Sequence, residues 1–161
     1  MTALIRIWAV ALLTFLIDQA SKVWVIYGLD LPLVRVVEVF PPYLTFIMGW
    51  NRGINFGLLS DSPEWSRIIL ISIAIGVSIL LSFWGRKADR WRMWAAFGMI
   101  IGGALGNAID RVLYGAVADF LNMSCCGFQN PYTFNVADIF IFAGAGLLLV
   151  YGGRDLEQSK A

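Results

Sequence analysis

Apolar residues dominate this chain in long runs rather than in the alternation of a soluble sheet. Residues 68–84, 93–109 and 139–153 carry no charge at all. The last run extends backward through "NPYTFNVA", with Asp138 as its only charge. Each run approaches the ~20 residues that a membrane-spanning helix needs. A first segment, "IRIWAVALLTFLIDQASKVWVIYGL", has the same length but is interrupted by Asp18 and Lys22. A cleaved signal peptide would need a small-x-small site after the apolar run, and "DQASKVW" is a poor one. The pattern therefore predicts four transmembrane helices, over about residues 7–27, 67–85, 92–110 and 136–153. With no linker or repeat, it reads as one integral-membrane domain, 1–161.

Between the first two runs the pattern changes. "LVRVVEVF" alternates partly and is rich in valine, which predicts a short strand. "PPYLTFIMGW" predicts a second strand, followed by the turn-like "NRGINFG". The fold class expected is an all-α membrane protein with a small β-sheet on its outer surface, in a connection of about 30–60.

Charge orients the spans. "GRKADRWRMW" places Arg86, Lys87, Arg90 and Arg92 in one short loop, which marks the cytoplasmic side. Both termini then lie inside, in agreement with Arg6, Arg154 and Lys160, and the longer connections face outward. Trp24, Tyr27, Trp50, Trp65, Trp84, Trp91, Trp94 and Tyr151 lie near the proposed span ends, as aromatic belts do.

Composition agrees: 59% of the 161 residues are hydrophobic and only 14% are charged, against roughly 25% in soluble domains. A net charge of +1 leaves no basic excess to neutralise phosphates, so nucleic acid is not a partner. The chain has no histidine and only two cysteines, the adjacent Cys125 and Cys126. That removes His-based nucleophile systems, His-ligated metals and all-cysteine zinc sites. Acid–base work is left to carboxylate, lysine and tyrosine.

Ionisable residues inside spans are costly and usually face the bundle interior or a wet cavity. Asp18 and Lys22 are four apart and can pair on one helix face. A Ser21/Lys22 nucleophile is disfavoured, because adjacent helical positions point about 100° apart. Gly98, Gly102 and Gly106 form a small-residue stripe that admits a neighbouring helix. The same faces of the third span emerge with Asn107, Asp110 and Arg111, which the spacing reads as a structural Asp–Arg–Asn network. Asn135 is placed to N-cap the fourth span with Asp138 at N3, a relative of the capping box. Asp119 is placed to cap a turn. Spacing puts Asp119 and Asp138 at one outer level of the membrane but leaves open whether they meet.

Four stretches together, "DQASK" at 18–22, "NRGINFG" at 51–57, "GGALGNAIDRVLYGAVADF" at 102–120 and "FNVAD" at 134–138, resemble the lipoprotein signal peptidases, or type II signal peptidases. The resemblance runs the length of the chain. It implies an aspartyl endopeptidase of the bacterial inner membrane, with its active site toward the periplasm. Its substrate would be a prolipoprotein whose cysteine already carries diacylglycerol, cut just before that cysteine. It implies Asp119 and Asp138 as the catalytic pair and Asn107, Arg111 and Asn135 as their support. Asp18, Lys22, Asn51 and Asp110 would complete the site. No cofactor, metal or obligate protein partner is implied beyond substrate and membrane lipid. Two departures stand out. Ile54 and Asn55 occupy positions where the family commonly has two alanines, and "NMSCCGFQNPYT" follows no family pattern. The rival classes are a small proton-coupled transporter, with carboxylates strung through the membrane, and a structural adaptor in which every carboxylate is a cap or an ion-pair member.

Overall fold

The computed structural model describes residues 2–53 and 63–158. Helix α1 (Ala3–Val23) continues into a wide π-helical turn, Trp24–Gly28, and a short α2 (Leu31–Val34) follows. Strands β1 (Val36–Phe40) and β2 (Leu44–Asn51) precede helices α3 (Pro63–Gly85) and α4 (Trp91–Tyr114). Strand β3 (Val117–Met123) and helix α5 (Val136–Gln158) complete the chain. Ile54, Asn55 and Lys160 lie outside the described residues.

Three of these helices, at Ala3–Gly28, Glu64–Gly85 and Trp91–Tyr114, are long and apolar enough to cross a membrane. The fourth expected span contains a shorter apolar helix, Val136–Gly152. The spans differ in detail from the sequence expectation. The first helix begins at Ala3, and α4 runs on to Tyr114 before Gly115 caps it with φ 74°. Asn107 and Asp110 lie on the last turns of α4 as expected, and Arg111, just past the expected end, is helical too.

α4 is the centre of the bundle, packed by α1, α5 and α3. Its glycine stripe explains why. A Cβ on Gly98 would lie 2.7 Å from the Ile7 carbonyl of α1, and one on Gly102 would collide with the Ala11 carbonyl. Gly103, on the next face, approaches the Ala137 carbonyl of α5 in the same way. Backbones meet where no side chain intervenes. Ile7, Ala11, Leu81, Met93, Phe97 and Ile101 fill the core at the other end of the bundle. The outward faces keep Ile73, Ile79, Phe83, Phe142 and Leu149 exposed, as lipid-facing helices do.

The expected sheet has a third strand that the sequence did not reveal. Its order is β1-β2-β3, antiparallel throughout. Val25, Leu31, Phe46 and Phe120 pack it onto the end of α1, with the Phe46 and Phe120 rings edge-to-face at 5.5 Å. An irregularity in the β2–β3 ladder between Phe46 and Gly49 sets Gly49 opposite Asp119 and Asn51 opposite Val117. The segment before α5 is fastened to β3 by a bridge between Leu121 and Phe134. The Phe120 and Leu121 N–H groups both donate to the Phe134 carbonyl, at 3.0 and 2.8 Å.

Candidate active site

The buried charged residues Asp18, Lys22, Asp110 and Asp119 gather at one end of the bundle, beneath the sheet. They are supplied by three elements: α1, α4 and β3. α5 adds Asp138, and the residue just before that helix is Asn135.

Asn135 joins the two aspartates. Its side-chain oxygen accepts from the Asp138 N–H at 3.0 Å, and its own N–H donates to Asp138 Oδ2 at 3.1 Å. That is the reciprocal capping box expected from the spacing. Its side-chain amide also donates to Asp119 Oδ1. Cap and bridge are one residue, so helix-end and working-pair readings of Asp138 are not alternatives. Asn135 is fully buried.

Asp119 has a second amide donor, Asn51 Nδ2 at 3.0 Å from Oδ2. Asn51 is itself held by the Gly53 N–H, which donates to its Oδ1 at 3.1 Å. Asp119 is only 4% exposed. Burial pushes its carboxyl up from 3.8 to about 6, against the pull of the Asn135 and Asn51 amides; the neighbouring Asp138 pushes further up and Lys22 pulls down. Asp119 opens onto a cavity of about 390 Å³ whose walls include Gly49, Trp50, Asn51, Tyr132 and Thr133. A Cβ on Gly49 would lie 2.5 Å from Thr133 Oγ1, so only glycine keeps this wall in place.

Asp138 takes its other donor from α4, Asn107 Nδ2 at 2.9 Å from Oδ1. Asn107 Oδ1 in turn accepts from Lys22 Nζ at 3.1 Å. Lys22 lies between Asp18 Oδ2 at 2.8 Å and Asp110 Oδ2 at 2.7 Å. The expected Asp18–Lys22 pair is thus present, but the expected network of Asp110, Arg111 and Asn107 forms only in part: Arg111 reaches the Asn107 carbonyl, while Asp110 pairs elsewhere. Asp110 pairs with Lys22 of another helix, because adjacent positions on α4 point apart and α1 packs against the Asp110 face. Gln19 Nε2 bridges Asp18 Oδ2 and Asp110 Oδ1 at 3.1 and 3.0 Å.

Arg111 donates to the Asn107 carbonyl at 2.9 Å. Its guanidinium feels the charges of Asp119, Asp110 and Asp138, and among the described residues its buried Nε has no hydrogen-bond partner. Among the described residues no three Asp, Glu or Cys side chains converge as a metal site would require.

Every nominated residue therefore lies in one connected cluster. Asp119 departs from expectation in its setting, since it stands on a strand rather than capping a turn. Three contributors carried no assigned role in the sequence: Gln19, Gly49 and Thr133. Gln19 stands inside the "DQASK" stretch, and only the fold pairs it with Asp110.

The family model described as "Signal peptidase (SPase) II" matches residues 10–152. The chain belongs to the signal peptidase II family. It is 43% identical over 139 residues to a lipoprotein signal peptidase of Methylorubrum extorquens (strain PA1), covering 86% of this chain and 80% of that one. It is 39% identical over 160 residues to a lipoprotein signal peptidase of Shewanella pealeana (strain ATCC 700345 / ANG-SQ1), covering 96% and 92%. A solved bacterial membrane enzyme, determined by the in meso method at 2.3 Å resolution, superposes with a TM-score of 0.75 at 28% identity, covering 93% of this chain and 88% of that one. Membership of this family makes the chain a membrane-embedded peptidase.

Proposed function

We propose that this signal peptidase II is an aspartyl endopeptidase that removes the signal peptide from diacylglyceryl-modified prolipoproteins, cutting just before the lipidated cysteine. The observation that carries the proposal is Asn135 holding both Asp119 and Asp138. The prolipoprotein substrate follows from the family and from the names of its relatives.

Peptide hydrolysis needs an activated water and a proton for the leaving amine. Two neighbouring carboxylates that share one proton supply both. Asp119, buried and raised to about 6, is the proton-bearing member and hydrogen-bonds the scissile carbonyl from the cavity side. Asp138, at the first turn of α5, is the partner that takes a proton from water. Asn135 and Asn107 fix its two oxygens. After attack, Asp138 passes the proton to the departing amine. Asn51 and Asn135 hold Asp119 at the cavity floor.

The proposal extends to topology. α5 is a fourth span, the single domain is 1–161, and both termini are cytoplasmic in the bacterial inner membrane. The cluster and the sheet then lie on the periplasmic side, at the depth of the substrate's acyl chains in the outer leaflet. A transporter needs ionisable groups through the membrane depth. Here, among the described residues, the buried charges collect at one end.

The test is cleavage of a synthetic diacylglyceryl peptide by the reconstituted chain. Asp119→Asn and Asp138→Asn should each lower turnover by at least the ~10²–10⁴ of lost acid–base help. Wild-type turnover in either variant rules out the assignment.

A further inference from the structure

Lys22 is almost completely buried and does not touch Asp119 or Asp138, yet its contacts lead to both. Asp18, which it pairs with at 2.8 Å, uses its other oxygen to accept the Ala137 N–H at 2.8 Å. Ala137 immediately precedes Asp138. Asp110, which it pairs with at 2.7 Å, accepts the Ala118 N–H at 3.3 Å. Ala118 immediately precedes Asp119. One ammonium thus sits between two carboxylates, each gripping the backbone one residue before an aspartate of the proposed pair.

The third contact of Lys22 is directional. An ammonium only donates, while a carboxamide has one accepting and one donating end. With Lys22 Nζ at 3.1 Å from Asn107 Oδ1, the Asn107 NH₂ must point the other way, to Asp138 at 2.9 Å. Turning the amide over would set N–H against ammonium and oxygen against carboxylate. Both contacts are repulsive, and neither side can rearrange inside this packing.

We propose that Lys22 is a positioning residue of the peptidase: through Asn107 it fixes the hydrogen bond that aims Asp138, a role separate from its ion pairs with Asp18 and Asp110, which hold the cluster together. This rests on the reading of Asp119 and Asp138 as the catalytic pair. It goes beyond a packing ion pair, because the Asn107 contact requires a donor at Lys22 whatever the charge balance.

The experiment separates the two roles of Lys22. Lys22→Met leaves two buried carboxylates without a counter-ion and lowers both thermal stability and turnover. The triple variant Lys22→Met/Asp18→Asn/Asp110→Asn removes the stranded charges, and its asparagine oxygens still accept from Ala137 and Ala118. Neutral replacement of a buried ion network commonly restores stability. The expected result is a melting temperature returned toward wild type, with kcat per folded enzyme still roughly tenfold or more down, the worth of one charge-assisted hydrogen bond, and KM unchanged. In an Asn107→Leu background, Lys22→Met should lower stability further but leave kcat where Asn107→Leu put it. Recovery of wild-type kcat in the triple variant, or an additive loss of kcat in the Asn107→Leu background, overturns the proposal and leaves Lys22 a counter-ion only. Either outcome is distinct from failure of the pair itself, which appears as full activity in Asp119→Asn or Asp138→Asn.

Discussion

Asn135 and Asp138 cap one another, side chain to backbone in both directions, at 3.0 and 3.1 Å. The same Asn135 amide holds Asp119 across the gap between β3 and α5. Structure and chemistry are therefore separable at this one residue. Serine caps a helix about as well as asparagine but cannot span to Asp119. Asn135→Ser should leave thermal stability within about 0.5 kcal/mol of wild type and lower kcat by tenfold or more. Asn135→Ala should show the same loss of rate and about 1 kcal/mol of lost stability. Thermal unfolding in detergent beside a cleavage assay checks both. Equal activity of Asn135→Ser and wild type would detach Asn135 from the reaction.

The raised carboxyl of Asp119 has a signed consequence. Its folded value of about 6 lies above its ordinary 3.8, so between the two the folded chain binds the extra proton. Its contribution to stability is therefore fully present below about pH 4 and is lost as pH rises through about 6, with an upper bound of about 3 kcal/mol. The stability difference between wild type and Asp119→Asn, measured from pH 4 to 8, should shift against wild type across that window. A flat difference would show that Asp119 is not perturbed. The rate should follow the same group: if Asp119 must carry the proton, kcat/KM falls on its alkaline side near pH 6. Bound substrate covers the cavity and adds desolvation, so the alkaline limb of kcat should lie at higher pH.

What the sequence displayed and what it hid divide along contact range. The three long spans, the final apolar helix, β1 and β2 were all visible as runs or alternation, because those patterns are local. β3 was not. Val117, Ala118, Asp119 and Phe120 are all buried, so the strand lacks the polar face that makes a period of two visible. From the sequence, Asp119 consequently reads as a turn residue. Spacing alone groups Asp110 with its neighbours Arg111 and Asn107, whereas its partner Lys22 is 88 positions away and reaches it only after the glycine stripe of α4 has docked on α1. The Asn135–Asp138 cap was legible from a three-residue spacing. The link from Asn135 to Asp119 depends on the Leu121–Phe134 bridge, which no local pattern encodes.

That docking makes Gly106 a sensitive position. A Cβ there would lie 2.6 Å from Asp18 Oδ2, an oxygen already fixed by Lys22 and Gln19. Gly106→Ala gains up to about 1 kcal/mol in helix propensity but must displace a buried ion pair, at about 1–3 kcal/mol for overpacking. The net expectation is a less stable, less active protein. Gly76 of α3 has nothing within 4 Å of its Cβ position, so Gly76→Ala keeps only the propensity gain and should be neutral or stabilising. Melting temperatures of the two variants side by side test the contrast. A Gly106→Ala protein as stable as Gly76→Ala would mean that α1 and α4 are less closely packed than the structure has them.

Asn51 offers the complementary test on the cavity side. Its amide donates to Asp119 Oδ2 at 3.0 Å and favours the ionised form. Asn51→Ala removes that donor, so Asp119 should hold its proton to higher pH and the alkaline limb of kcat/KM should move upward. At neutral pH two effects then oppose each other. More enzyme carries the needed proton, but Asp119 loses one of the two amides that aim it. Aim governs the transition state, where misplacement by a fraction of an ångström is costly, so kcat should still fall, by roughly tenfold. Asn51 stands at the end of β2 on the cavity wall and contributes nothing to the Lys22 cluster, so thermal stability should change by less than about 1 kcal/mol. The pH–rate profile of Asn51→Ala checks the sign: a limb displaced downward, or not at all, means that Asp119 does not supply the proton and that its role passes to Asp138.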